Sequence, residues 1–130
     1  MLPKFRVWDK VAEDMFTPEV LELDKYGKVT GIFSKGTMFS IEDFELLQST
    51  GLFDKNGAEI FEGDILKVFV LGDEGAIAKV IFKNGMFGIE DDMHGYGYDR
   101  GLYSLHQILS LRDAEIIGNK FTHPHLLEEE

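Results

Sequence analysis

Short runs of β-branched and aromatic residues, each broken by a glycine-bearing turn, limit what this chain can fold into. The sharpest case is Ala76-Ile77-Ala78-Lys79-Val80-Ile81-Phe82-Lys83-Asn84-Gly85-Met86-Phe87-Gly88-Ile89. Asn84 and Gly85 tolerate the positive φ values of a type I′ turn, and the apolar runs on either side supply strands. A two-residue hairpin is predicted there. Upstream, residues 65–71 read as another strand, and Gly72-Asp73-Glu74-Gly75 turns it back into Ala76. Together these make a three-stranded meander, which can persist where a lone hairpin cannot.

The amino-terminal part has the same texture. Residues 4–8 and 11–16 read as strands separated by Asp9-Lys10. Residues 20–23 and 29–33 flank a hairpin loop, Asp24-Lys25-Tyr26-Gly27-Lys28, and residues 37–41 form a further strand. Residues 41–47 fit a helical turn or two, with Ser40 as cap and Asp43 three residues on, although their length leaves strand open. Residues 103–111 suit a short helix or a strand. Residues 114–121 read as a closing strand in which Gly118 permits a bulge or a close crossing. Nowhere does a helical pattern of about 12 residues fall between strands, which argues against crossover units and the Rossmann and P-loop layouts built from them. The expected fold is all-β: a compact, bent antiparallel barrel, SH3-like or related, with additional N-terminal hairpins and at most short helices. A compact sandwich is the alternative.

The chain has 130 residues, 44% apolar and 28% charged. That supports a single globular domain with a core of its own, expected over residues 3–122 with 123–130 as a tail. Without cysteine it has no disulfides, thiolate metal sites or cysteine nucleophiles. The start, Met1-Leu2-Pro3-Lys4-Phe5-Arg6, does not read as a secretory signal, and no run approaches the 18 or so apolar residues of a membrane span. The expected address is the cytoplasm of the host cell.

Twenty-four acidic residues against thirteen basic ones give a formal charge of −11, and residues 51–130 carry −8 of it. Such a surface repels phosphate backbones, so direct nucleic-acid binding is not expected. An acidic surface could instead mimic nucleic acid, though charge for solubility explains the balance as well.

Three segments belong together. They are Lys4-Phe5-Arg6-Val7-Trp8-Asp9; Gln48-Ser49-Thr50-Gly51-Leu52-Phe53-Asp54-Lys55-Asn56-Gly57-Ala58-Glu59-Ile60-Phe61-Glu62-Gly63-Asp64-Ile65; and Ile117-Gly118-Asn119-Lys120-Phe121, followed by His123-Pro124-His125-Leu126-Leu127. In this order and spacing the chain resembles the YopX family of bacterial and prophage proteins over nearly its whole length. The resemblance implies a mostly β fold, a phage or prophage-related origin and no established enzymatic activity, hence no catalytic residues and no cofactor. The chain departs from the family pattern at Phe53, where a charged residue is usual, and at His123 and His125, where acidic or polar residues are more usual.

The residues of these segments read mainly as structural turns. Asp54-Lys55-Asn56-Gly57 is a turn in which Gly57 takes positive φ and the Asp54 carboxylate accepts local backbone N–H groups. Leu52, Ile60 and Phe61 flank it as core plugs. Gly63 and Asp64 start the next strand, with Asp64 placed to pin the preceding loop. Asn84, Gly85, Gly118 and Asn119 complete the set of structural turns. A lone tryptophan is more often a core or rim residue than a binding platform. Phe5 and Val7 alternate with Lys4 and Arg6, however, so that Trp8 falls on the polar face, which leaves a surface or interface role open beside the core one.

Candidate chemistry is thin. Asp54 and Asn56 fit the first and third positions of an EF-hand, but Ala58, Glu59 and Ile65 stand where a ligand, a glycine and the bidentate glutamate are required. Glu90-Asp91-Asp92, His94 and Asp99 read as a solvated loop, and His123-Pro124-His125 as an irregular tail without a third ligand. No metal is expected. Serines 34, 40, 49, 104 and 110 lie outside any nucleophile elbow. The one stretch with a binding texture is Met93-His94-Gly95-Tyr96-Gly97-Tyr98-Asp99-Arg100-Gly101-Leu102-Tyr103, where tyrosines alternate with glycines. Tyr96, Tyr98, Arg100 and Tyr103, with Trp8, are the candidate protein contacts. The expected activity is non-enzymatic, through an unidentified host or phage protein partner or through homo-oligomerisation, with no membrane association. The alternatives are an acidic nucleic-acid mimic that modulates a host nucleic-acid-binding protein, and an enzyme with an unrecognised site.

Overall fold

A computed structural model describes residues 4–72, 74–83, 85–91 and 101–127. The chain falls into two compact units, residues 1–48 and 49–130. It is mainly β-strand with little helix, short amino-terminal hairpins and a sheet curled into a half-barrel, as the sequence predicts.

In the first unit, β1 (Phe5–Asp9) lies between β2 (Asp14–Phe16) and the first half of β6 (Phe44–Phe53), antiparallel to both. A separate three-stranded antiparallel sheet has the order β3 (Val20–Leu23), β4 (Val29–Ser34), β5 (Thr37–Ser40). Strand β2 is shorter than predicted. Asp9 Oδ1 accepts the N–H groups of Val11 and Ala12 at 2.9 and 3.0 Å, which folds residues 10–13 into a turn and leaves Val11 exposed. Residues 41–43 form a single 3₁₀ turn capped by Ser40, and the chain then runs straight into the ten-residue β6.

Trp8 is only 9% exposed, which bears out the core reading and sets aside the surface contact that its place on the polar face had kept open. The alternation rule assumes one solvated face, but both faces of β1 are covered: Val7 is buried on one, Trp8 and Leu47 on the other.

The second unit is built on a five-stranded antiparallel sheet. Its order is β11 (Gly101–Ser104), β10 (Met86–Asp91), β9 (Glu74–Lys83), β8 (Asp64–Leu71), β12 (Ala114–Asn119). Lys83 pairs with Met86, leaving a two-residue loop in which Gly85 has φ +78°; Asn84 itself lies outside the described residues. The one α-helix among the described residues, α1 (Leu105–Leu111), starts at Ser104, whose hydroxyl accepts the Gln107 N–H. Leu105 and Ile108 of α1 join Leu66, Val68, Ala78, Val80, Ile89 and Ala114 of the sheet and Ile60 of the short β7 (Glu59–Phe61) in one core. Each fully buried leucine, isoleucine or valine of this core is worth about 1.5–3 kcal/mol relative to exposure.

Candidate functional site

The turn residues of the long central segment gather along β12. Asp54 is 8% exposed and both of its oxygens are engaged. Oδ1 accepts the N–H groups of Asn56 and Ala58, each at 2.9 Å, and Oδ2 accepts that of Ile116 at 3.0 Å. Burial alone would push this carboxyl up, but the three N–H groups and the Lys55 charge outweigh it and hold its pKa below the ordinary value. Lys55 N–H donates to the Ala114 carbonyl, and the Asn56 side-chain amide donates to Glu115. Gly57 takes φ +83°.

Gly63, at φ +88°, donates its N–H to Val80 and accepts from Lys120, while Asp64 Oδ2 accepts the Phe61 N–H at 2.8 Å. Gly118 follows the register shift at Ile116 and lies against the His123 ring, which a Cβ there would meet at 2.6 Å. Asn119 Oδ1 accepts the N–H groups of Phe121 and Thr122, and its own N–H donates to His123 Nδ1. All of these contacts brace backbone. Among the described residues no group of three or more His, Asp or Glu is arranged to hold a metal ion.

Of the predicted contact residues, Tyr96, Tyr98 and Arg100 lie outside the described residues, and Tyr103 contributes backbone to β11 opposite Ile89. The outer face of the five-stranded sheet, where Lys67 and Lys79 alternate with Glu90 and Glu115, is mixed in sign. It is not a continuous carboxylate face.

The clearest accessible apolar feature is one that sequence reasoning did not single out. On the β3–β4–β5 sheet, Val20 pairs with Phe33 and Phe33 with Met38, so the three side chains form a row across one face. Val20 is 55% and Met38 47% exposed. Gly31 belongs to the same face. Its missing Cβ leaves space that Met38 uses, since a Cβ there would stand 3.2 Å from the Met38 Sδ. The β4–β5 hairpin turns through Lys35 and Gly36, at φ +52° and +81°, and the Lys35 N–H donates to Glu19. Lysine is an uncommon residue for a type I′ turn, so this hairpin lacked the usual signature; the residue pattern Ile32-Phe33 followed by Met38-Phe39 was the available signal. Among the described residues no helix is long and apolar enough to cross a membrane.

No curated protein matches the chain. Among solved structures, it is similar to protein EF1440 from Enterococcus faecalis, with a TM-score of 0.73 and 27% identity over 98% of this chain and 99% of that one. It is similar also to the protein yopX from Bacillus subtilis, with a TM-score of 0.65 and 20% identity over 96% and 98% of the two chains, a likeness of fold. The family model described as YopX protein matches residues 4–128, nearly the span over which the sequence resemblance was drawn. The chain belongs to the YopX family.

Proposed function

We propose that this protein is a non-enzymatic accessory protein of phage or prophage origin, working in the host cytoplasm by protein–protein contact. The observation that carries the reading is the Val20–Phe33–Met38 row, an exposed apolar strip on a small sheet. Charge selects the occupant. A chain of net charge −11 repels its own copies and attracts a basic protein surface, so the partner is a basic protein and self-association is the competing outcome. The mixed signs on the five-stranded sheet's outer face favour such contact over mimicry of nucleic acid. Tyr96, Tyr98, Arg100 and Tyr103 are proposed as a second contact element, on their composition.

The test compares the wild type with the double variant Val20→Lys, Met38→Lys. Capture from host lysate should yield a basic protein that the variant loses while its thermal midpoint is unchanged. Sedimentation should show a monomer. Equal capture by both forms, or a wild-type oligomer that the variant dissolves, would overturn the heterologous reading.

A further inference from the structure

The first unit contains a cleft of about 230 Å³ that the protein-contact reading does not use. Its walls come from two sheet faces. Asp9 pairs with both Asp14 and Phe44, so these three side chains share one face, with Phe16 two residues along from Asp14. Across from them, Ser34 pairs with Thr37, and Phe39 follows on the same face of β5. The three phenylalanines form one aromatic wall: Phe44 stands edge-on to Phe16 at 6.0 Å between centroids and 5.6 Å from Phe39.

Three features of the lining suit a cation. Directly opposed carboxylates on a sheet face repel each other, yet Asp9 and Asp14 have no ion-pair partner among the described residues. Asp9 Oδ1 is engaged by the turn, while the Asp14 carboxylate makes no hydrogen bond among the described residues. Ser34, only 7% exposed as a residue, lines the cleft, and its hydroxyl, accessible there, has no partner among the described residues. Lys35 also lines the cleft and pairs with neither aspartate, so the lining keeps a net charge of −1.

We infer that this cleft binds a guanidinium group on a short aliphatic stem. A guanidinium is planar and weakly hydrated, so its face can lie on the phenylalanine rings while its edge donates to Asp9, Asp14 and Ser34. The volume equals about eight waters' share of liquid, room enough for a group of about seven heavy atoms. The inference is independent of the protein-contact reading, because a free guanidinium compound fills the cleft as well as a partner's arginine does.

The test is an NMR titration of the full chain with n-propylguanidinium. Saturable shifts should centre on the amides of Ala12, Asp14, Ser34 and Lys35. The neutral isostere n-propylurea should bind at least about tenfold more weakly, and Asp14→Asn should weaken n-propylguanidinium binding about fivefold with an unchanged thermal midpoint. Asp14 is chosen because it is exposed and caps nothing, whereas Asp9 holds a turn. N-acetyl-Gly-Arg-Gly-amide identifies the source. Binding as tight as the free compound supports a partner's arginine, and binding by the free compound alone supports a small metabolite. No saturable shift, equal binding of n-propylurea, or an unchanged affinity in Asp14→Asn would overturn the assignment.

Discussion

The same five-residue loop geometry occurs once in each unit, and what separates the two copies structurally is docking. Asp24-Lys25-Tyr26-Gly27-Lys28 and Asp54-Lys55-Asn56-Gly57-Ala58 share their hydrogen bonds. In each, the aspartate Oδ1 accepts the N–H groups two and four residues on. The aspartate N–H donates to the carbonyl four residues on, and its own carbonyl accepts the glycine N–H. Both glycines have φ +83°. The loop at 24–28 ends there, exposed, with the Lys25 ammonium over its neighbour Tyr26. The loop at 54–58 is docked: Asp54 Oδ2 receives Ile116, the Lys55 N–H reaches Ala114, and the Lys55 ammonium sits 4.4 Å above the Phe69 ring. Local chemistry makes the loop, and its neighbours decide whether the aspartate is a turn former or a structural hub.

Removing the aspartates should separate these roles most strongly. Asp54→Ala leaves three part-buried N–H groups without their acceptor, that of Ile116 in the next strand among them, and is expected to cost about 2–4 kcal/mol. Asp24→Ala exposes its two N–H groups to water and should cost about 1 kcal/mol or less. Denaturant unfolding of both variants measures the contrast. Equal losses would break it.

Acid provides the next test. The Asp54 pKa is lower in the folded chain than the ordinary carboxylate value of about 3.9 in the unfolded one, so the unfolded state binds its proton first. Its stabilisation is therefore complete above the ordinary carboxylate range and is lost as the pH falls through it. Wild type should lose stability more steeply than Asp54→Asn below about pH 4. Parallel stability curves would show that the carboxylate charge contributes nothing through this hub.

The two glycines should behave alike. Open space surrounds the position of a Cβ at both Gly27 and Gly57, so only the left-handed backbone resists a side chain. Alanine at either site is expected to cost about 1–2 kcal/mol. A much larger loss at Gly57 would mean that docking also constrains the turn's conformation.

The loops also show how far the sequence could be read. Each was legible as a turn from Asp and Gly three residues apart, because that chemistry is local. The docking of Asp54 onto Ile116 joins residues 62 positions apart, and no local pattern encodes it. Resemblance to the YopX family drew the 48–65 and 117–121 segments together without saying that they touch. Strand β6 was blurred because Glu42, Asp43 and Ser40 mimic a helix start, and the single 3₁₀ turn uses those same residues before the strand takes over. Trp8 stayed open between core and surface because alternation says which residues share a face but not whether a second layer covers it. The cleft beside Asp9 depends on two sheets meeting face to face, and the repulsion between Asp9 and Asp14 becomes visible only once their register is known.

The smallest expected effect is the most direct check on what docks the second loop. Only its third and fifth residues differ from those of the first, and both Asn56 and Ala58 are exposed. The Asn56 amide reaches Glu115 at 3.3 Å, a long contact at a solvated rim, and worth little there. The remaining links to β12 run through the Asp54 carboxylate and the Lys55 backbone, which an exchange of the third and fifth residues leaves in place. The double substitution Asn56→Tyr, Ala58→Lys writes the first loop's sequence into the second and should change unfolding free energy by about 0.5 kcal/mol or less, the usual scale for surface positions. The Ile116 amide should keep its slow hydrogen exchange, because its acceptor is unchanged. A loss of several kcal/mol, or rapid exchange at Ile116, would place the docking in the side chains of Asn56 and Ala58 and deny Asp54 its role as the hub.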